Sequence, residues 1–243
     1  MPLPHVILVP GLMCDSTVWE HQNRALRTLT TVEIPDHGMN DSLEGMAKSL
    51  LVRAPARFAL AGHSMGGRVA FRVMRLAPDR VAGLALMDTA YAPRNAGEAG
   101  EQEKAERYAL LDKARLEGMR AMGLLWVQKM VHPSRLSDKP LIDAILDMFA
   151  RKTPEIFAAQ IKALIERPDS TPVLAQIRCP TMVLCGRQDA WSPLAQHEYM
   201  AAAIPSGRLA VIENCGHMST MERPEEVTEK LVEWLVGLKI TDH

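Results

Sequence analysis

One short stretch, residues 58–67 with the sequence FALAGHSMGG, constrains the fold more than any other part of this chain. Its apolar start predicts a buried strand before Gly62, and helical spacing of apolar residues begins at Val69. Between them, residues 62–66 match G-x-S-x-G, the pattern of a serine at the tip of a tight strand-to-helix turn. Glycine is favoured on both sides because the turn presses those residues together. We therefore predict that Ser64 is lifted clear of a sheet, at a helix N-terminus.

The remaining sequence alternates short apolar runs with helical patterns, which indicates a parallel sheet covered by helices on both faces. Further strands are predicted at residues 6–9, 30–34, 81–87, 181–184 and 209–212. Residues 93–171 break the alternation, with helical stretches near residues 101–117, 119–131, 140–150 and 154–166 and no convincing strand. We expect an α/β core of residues 1–92 and 172–243, with an all-helical cap, residues 93–171, inserted between two strands.

Partners for the serine are expected further along the chain, because a hydroxyl is a weak nucleophile that needs a histidine base oriented by a carboxylate. His217 is favoured as the base, since it directly follows the last predicted strand and the turn pattern requires the order serine, acid, histidine. Asp189 is favoured as the acid, because it follows the preceding strand at the sheet edge where ligands bind. Asp88, directly after another predicted strand, is the rival acid.

When a serine of this kind attacks a carbonyl group, the tetrahedral intermediate needs backbone N–H groups that bind its oxyanion. One donor is expected at Met65, the residue after the serine, and the other in the loop that follows the first strand. Gly11 permits a tight backbone in that loop, and Leu12 is the expected donor. Side-chain identity contributes little here, because both donors belong to the main chain.

Composition argues against several other classes of protein. The net charge of -1 gives no electrostatic reason to expect nucleic-acid or membrane binding. No window approaches about 18 uninterrupted apolar residues, and the N-terminal segment lacks the basic region and cleavage site of a signal peptide. The 4 cysteines show neither a C-x-x-C pair nor the spacing of metal ligands, which favours reduced thiols in a cytoplasmic protein without a metal site.

These segments together resemble the α/β-hydrolase superfamily, specifically its small, cofactor-independent serine esterase-like branch with a helical cap. The resemblance covers essentially the whole chain, with matching segments at residues 6–11, 35–41, 62–67, 186–189 and 216–217. It implies an open, mainly parallel sheet, a cap inserted after the strand at residues 81–87, and a triad of Ser64, His217 and Asp189. The chain departs from the family at Pro10, where histidine is usual, so a histidine-mediated loop contact is expected to be lost.

The predicted activity is hydrolysis of carboxylic esters of small to medium, largely apolar molecules through an acyl-enzyme, without a cofactor. Lactone, thioester or carbon–carbon bond hydrolysis on the same triad are alternatives, because the fold and triad do not separate them. A small-molecule receptor on this fold is an alternative of another class. An enzyme acting on carrier-bound acyl chains is a third, and it predicts a basic cap surface. The expected partner is a small-molecule ester, and the expected state is a monomer or a homodimer.

Substrate choice is expected to depend on the cap, where some of the 15 methionines favour an adaptable apolar pocket. The predicted pocket residues are Met13, Met122, Trp126 and Trp191. Cap arginines could also bind a carboxylate on the substrate, although solvated arginines are commoner on helices: Arg107, Arg115, Arg120 and Arg135.

Overall fold

Parallel strands form the centre of the molecule. The structure, a computed structural model, describes residues 3–238, so the outermost residues of the predicted core, 1–2 and 239–243, lie outside it. The strands of this range are β1 (His5–Val9), β2 (Val32–Glu33), β3 (Phe58–His63), β4 (Val81–Met87), β5 (Thr181–Gly186) and β6 (Gly207–Ile212). They form one sheet in the order β2-β1-β3-β4-β5-β6, and each neighbouring pair is parallel.

Burial explains the apolar runs in the sequence. The strands β3, β4 and β5 are buried almost throughout, because helices cover a parallel sheet on both faces and leave few positions facing water. The edge strands β2 and β6 are more exposed. The predicted fold class and the mainly parallel sheet are confirmed. The second strand is shorter than predicted, since β2 pairs with β1 only at Val32 and Glu33.

The core helices connect these strands in sequence and pack in groups. These helices are α1 (Glu20–Leu26), α2 (Leu43–Arg53), α3 (Met65–Leu76), α9 (Leu194–Ala203), α10 (Ser219–Glu222) and α11 (Pro224–Gly237). Helix α2 packs on α3, and α1 packs on α11. Ser42 caps α2, since its side-chain oxygen accepts a hydrogen bond from the Gly45 N–H. Pro224 opens α11, where its missing N–H costs no helical hydrogen bond.

The chain between β4 and β5 is helical wherever it forms regular structure. We call its helices the helical insertion: α4 (Glu98–Glu117), α5 (Met119–Trp126), α6 (Lys139–Ala150), α7 (Pro154–Ile165) and α8 (Thr171–Leu174). Four of them follow the four predicted stretches, but α5 ends earlier than expected and continues as a 3-10 turn, Val127–Lys129. No strand interrupts this part of the described chain.

Side chains of the helical insertion hold it against the loops that follow β1 and β2. Three ion pairs join a basic residue of the insertion to an acidic residue of this region: Arg151–Asp15, Lys152–Asp36 and Lys162–Asp41. The buried amide of Gln160 on α7 adds two hydrogen bonds, accepting from the Met13 N–H at 2.9 Å and donating to the Gly38 carbonyl at 3.3 Å. These contacts set the helical insertion over the ends of the first strands.

Candidate active site

The strand order places a crevice where the loops after β1 and β3 separate. Strand β1 lies between β2 and β3, so the chain leaves these central strands in opposite directions along the sheet. In open α/β sheets, ligands bind at such a reversal, beyond the carboxyl ends of the strands. The loop with Gly11 and Leu12 follows β1, and Ser64 follows β3 directly.

The turn at Ser64 is strained and closely packed. Ser64 has φ 55° and ψ -118°, in the region that side chains disfavour, and it precedes the first turn of α3. A Cβ atom on Gly62 would lie 2.4 Å from the Gly66 carbonyl oxygen, and one on Gly66 would lie 2.1 Å from the Val9 carbonyl oxygen. Only glycine fits these approaches, which is the physical basis of the G-x-S-x-G spacing.

Ser64, His217 and Asp189 are joined by consecutive hydrogen bonds. The Nδ1–H of His217 donates to Asp189 Oδ2 at 2.8 Å, which leaves Nε2 to accept from the Ser64 hydroxyl at 2.8 Å. Asp189 is fixed in turn, because its Oδ1 accepts from the N–H groups of Trp191 at 2.8 Å and Ser192 at 2.9 Å. The structure thus brings together the three residues that the sequence analysis favoured.

The rival acid, Asp88, lies behind the three hydrogen-bonded residues and makes no hydrogen bond to the imidazole of His217. It is completely buried, where it accepts from the Gly186 N–H at 2.9 Å and from the Ser219 hydroxyl. His63, also buried, lies 3.7 Å from the Asp88 carboxylate and donates through Nε2 to the His217 carbonyl at 2.8 Å. Asp88 therefore supports the backbone around the site.

Electrostatics separates the two carboxylates. Burial raises the pKa of Asp88 well above its usual range, and the charge of Asp189 raises it further. Burial also raises the pKa of Asp189, but His217 and the two backbone donors outweigh it and lower the pKa. For His217, burial lowers the pKa, but the charge and the hydrogen bond of Asp189 raise it by more, so the net shift of this pKa is upward. Burial and His217 lower the pKa of His63 to about 4.

The two predicted oxyanion donors flank the same cavity as the serine. The backbone N–H groups of Leu12 and Met65 have no hydrogen-bond acceptor within residues 3–238, and both residues line the cavity. The loop with Leu12 is held by His37, which is buried and whose Nε2–H donates to the Pro10 carbonyl at 3.1 Å. The proline at position 10 was expected to cost this loop a contact made by a histidine. His37, from the neighbouring loop, provides such a contact instead.

A cavity of about 350 Å³ opens at Ser64 and His217. Of the four predicted pocket residues, Trp191 lines it, with its ring 5.2 Å from that of His217. Met13, Met122 and Trp126 are not part of the lining, so the prediction differs from the structure at these residues. Met13 and Met122 are completely buried, and the Trp126 ring packs behind Trp191 at 5.1 Å.

Charged residues that the sequence analysis largely missed take the place of the expected methionines. Beyond the residues named above, the lining consists of Arg68, Thr89, Ala90, Ala92, Pro93, Asn95, Glu103, Arg107, Leu164, Arg167, Ser192 and Gln196. Arg68 had a sequence signal, since it lies in the first turn of the helix that begins directly after Ser64.

The described residues contain no cluster of three or more histidine, cysteine or acidic side chains arranged to hold a metal ion. Within the same range, no helix combines the length and the apolar character needed to cross a membrane.

Fold and site together define the class of this protein: a hydrolytic enzyme with an open α/β sheet and a serine at the strand-to-helix turn. The sequence pattern of the alpha/beta hydrolase family matches residues 6–230. The chain belongs to this family.

Individual relatives extend along the whole chain. It is 25% identical over 249 residues to a pimeloyl-[acyl-carrier protein] methyl ester esterase from Nitrosomonas europaea, covering 92% of each protein. A thermophilic esterase from Thermogutta terrifontis, solved with malate bound, has a TM-score of 0.85 and 32% identity over 98% of this chain and 91% of its own. The enol-lactonase from Burkholderia xenovorans LB400 has a TM-score of 0.83 and 24% identity, over 97% and 92%.

Proposed function

We propose that this protein hydrolyses carboxylic esters of small molecules through an acyl-enzyme on Ser64. The observation that carries this proposal is the unbroken series of hydrogen bonds from Ser64 through His217 to Asp189, which opens onto a cavity. Relatives named as esterases support it. We further propose that residues 93–171, which contain helices α4 to α7, serve as a cap over this cavity, and that the protein acts in the cytoplasm as a monomer or homodimer.

Each of these residues has a part in the proposed reaction. Ser64 Oγ attacks the ester carbonyl while His217 Nε2 takes its proton, and the N–H groups of Leu12 and Met65 bind the oxyanion. His217 then returns the proton to the leaving alcohol, which frees it and leaves the acyl group on Ser64. Water attacks this ester with the help of the same imidazole and releases the acid. Asp189 keeps the proton of His217 on Nδ1 and stabilises the imidazolium.

A substrate panel with mass detection tests the proposal. Wild-type protein should turn over p-nitrophenyl esters of short and medium acyl chains, and rapid quenching should reveal an acyl adduct located on the peptide with Ser64. The panel includes a lactone and a thioester, because the same triad can open both bonds. Turnover without an adduct on Ser64, or an adduct that never hydrolyses, would contradict the proposal. The second result would favour the receptor hypothesis.

The pH dependence should show the raised pKa of His217. The imidazole accepts the serine proton only when it is neutral, so kcat/KM should increase with pH through the pKa of His217 in the free enzyme. Because Asp189 raises that pKa above the ordinary value of 6.5, the midpoint of this increase should lie above pH 6.5. A pH series with a neutral p-nitrophenyl ester measures it, and a midpoint below pH 6 would contradict the assignment.

A further inference from the structure

The wall of the cavity carries an excess of positive charge. Three guanidinium groups line it, those of Arg68, Arg107 and Arg167, against one carboxylate, that of Glu103. Glu103 is the single acidic residue in this lining within the described chain. Because like charges in a partly buried site repel one another, such a cluster is more stable when an anion joins it.

Glu103 already engages two of the three cations. Its Oε1 accepts from Arg107 Nε at 3.0 Å, and its two oxygens accept from the terminal nitrogens of Arg167 at 2.7 Å each. Arg167 also donates to the Leu164 carbonyl at 2.8 Å, so both of its terminal nitrogens are in use. Within residues 3–238, the two terminal nitrogens of Arg107 make no hydrogen bond, which leaves them available to a ligand.

Arg68 approaches the same space from the core. It lies in the first turn of α3, which begins directly after Ser64, and it lines the cavity. Its Nη1 donates to the Ala92 carbonyl at 2.9 Å, and its other nitrogens have no partner in the described part of the chain. Burial, followed by the charges of Arg167 and Arg107, lowers the pKa of Arg68 to about 9. Its positive form would therefore be stabilised by a bound anion.

The other cap arginines named in the sequence analysis are paired on the outside of the helical insertion. Arg115 contacts Asp112, Arg120 contacts Asp143 and Asp147, and Arg135 contacts Asp138. Arg107 is the member of that set that lines the cavity. Of these four arginines, the one with unpaired terminal nitrogens thus faces the cavity, which favours a small anionic molecule over an acidic carrier protein bound through the other three.

We infer that the substrate is an ester that carries an ionised carboxylate, and that Arg107 and Arg68 bind this carboxylate and determine the specificity. The inference rests on the proposed function, since it places the ester carbonyl at Ser64. A guanidinium offers parallel donors that match the two oxygens of a carboxylate. The cavity of about 350 Å³ suits a small ligand, such as a half-ester of a short dicarboxylic acid.

Two esters of equal chain length test this specificity: mono-p-nitrophenyl glutarate, which ends in a carboxylate, and the neutral p-nitrophenyl valerate. Wild-type kcat/KM should be at least about 10-fold higher for the glutarate, because it gains charge-assisted hydrogen bonds. Arg107→Gln should lower the glutarate value about 10- to 100-fold, mainly through KM, and change the valerate value less than about 3-fold. Free glutarate should inhibit the wild type competitively, less so at high salt, and inhibit Arg107→Gln much more weakly.

Arg115→Gln is the matched control, because it removes a guanidinium from the same helix α4 outside the cavity. It should leave both esters and the glutarate inhibition unchanged. Arg68→Gln should repeat the Arg107→Gln result, and Arg107→Gln alone decides the test if Arg68→Gln does not fold. Equal losses on both esters, or a wild type without preference for the glutarate, would overturn the inference.

The two proposals fail differently in this experiment. If the wild type cleaves the valerate through Ser64 without preferring the glutarate, the proposed function stands and the carboxylate specificity is wrong. If it cleaves neither ester, the proposed function is wrong and the inference falls with it.

Discussion

Replacing Ser64 with alanine is expected to lower kcat for p-nitrophenyl ester hydrolysis by about 10⁴-fold or more. The change removes the one oxygen that is both hydrogen-bonded to His217 Nε2 and placed at the cavity. Stopped assays with the purified variant measure the residual rate, and the acyl adduct should disappear from its mass spectrum. Folding should be little affected, because alanine keeps the Cβ atom and the backbone of the turn.

Ser192→Ala provides the control for this prediction. Ser192 lines the same cavity, and its N–H donates to Asp189, but its hydroxyl makes no hydrogen bond among the described residues. Ser192→Ala keeps this backbone donor, so its kcat should stay within about 3-fold of the wild type. A change of this size is expected for a side chain that takes no part in the hydrogen bonds from Ser64 to Asp189. A Ser64→Ala enzyme with activity near that of Ser192→Ala would show that another group performs the attack.

The remaining activity of Ser64→Ala has a physical source. In the proposed mechanism, the N–H groups of Leu12 and Met65 stay in place and can still stabilise an oxyanion formed by attack of water, with His217 as its base. Removing one donor of this kind costs about 2.7–4 kcal/mol in other hydrolases. The donors and the triad therefore contribute separately, and the loss from Ser64→Ala measures the contribution of the triad as a unit.

The residues around the turn could be predicted because local geometry dictates them. Gly62 and Gly66 are required by backbone approaches within one strand-to-helix turn, so their spacing carries the information. His217 and Asp189 follow strands whose carboxyl ends meet at one edge of the sheet, which the alternation of strands and helices makes visible. These inferences need only the order of elements along the chain.

The cavity lining could not be predicted in the same way, because it depends on how the helical insertion packs on the core. Met122 and Trp126 lie on an apolar helical stripe, and the stripe is satisfied by burial inside the insertion, as the contact between the Trp126 and Phe149 rings shows. Four cap arginines have similar sequence surroundings, yet only Arg107 of these lines the cavity. Glu103, four residues earlier on the same helix, holds Arg107 at this position, and Glu103 is itself bound by Arg167 from a distant part of the chain, a tertiary contact that the sequence does not display.

Contacts that the sequence does not display likewise distinguish the positions of the two acids. Asp88 and Asp189 both follow buried strands and both precede the histidine in the chain. The loop after β5 turns so that two successive N–H groups, those of Trp191 and Ser192, hold Asp189 against His217. The Gly186 N–H and Ser219 instead hold Asp88 one layer deeper.

Conservative variants at these two carboxylates should therefore give very different rates. Asp88→Asn should lower kcat less than about 10-fold, because the amide oxygen can still accept from the Gly186 N–H and the amide group can donate to Ser219. Burial raises the pKa of Asp88 and so favours its neutral form, whereas the pKa of Asp189 is lowered, so the variant changes the charge of the site less than the same substitution at Asp189 does. This variant is the matched control for the same substitution at Asp189.

Asp189→Asn should lower kcat by about 10⁴-fold, the size of effect that the wrong histidine tautomer produces. The N–H groups of Trp191 and Ser192 require an acceptor at the Oδ1 position, so the amide oxygen is held there and the amide nitrogen faces His217 Nδ1. Nδ1 must then accept a hydrogen bond from the amide, which moves the imidazole proton to Nε2. With that proton in place, Nε2 can no longer take the proton of Ser64. Steady-state assays of both variants measure the contrast. If Asp88→Asn proves the more damaging of the two, the acid of the triad is Asp88.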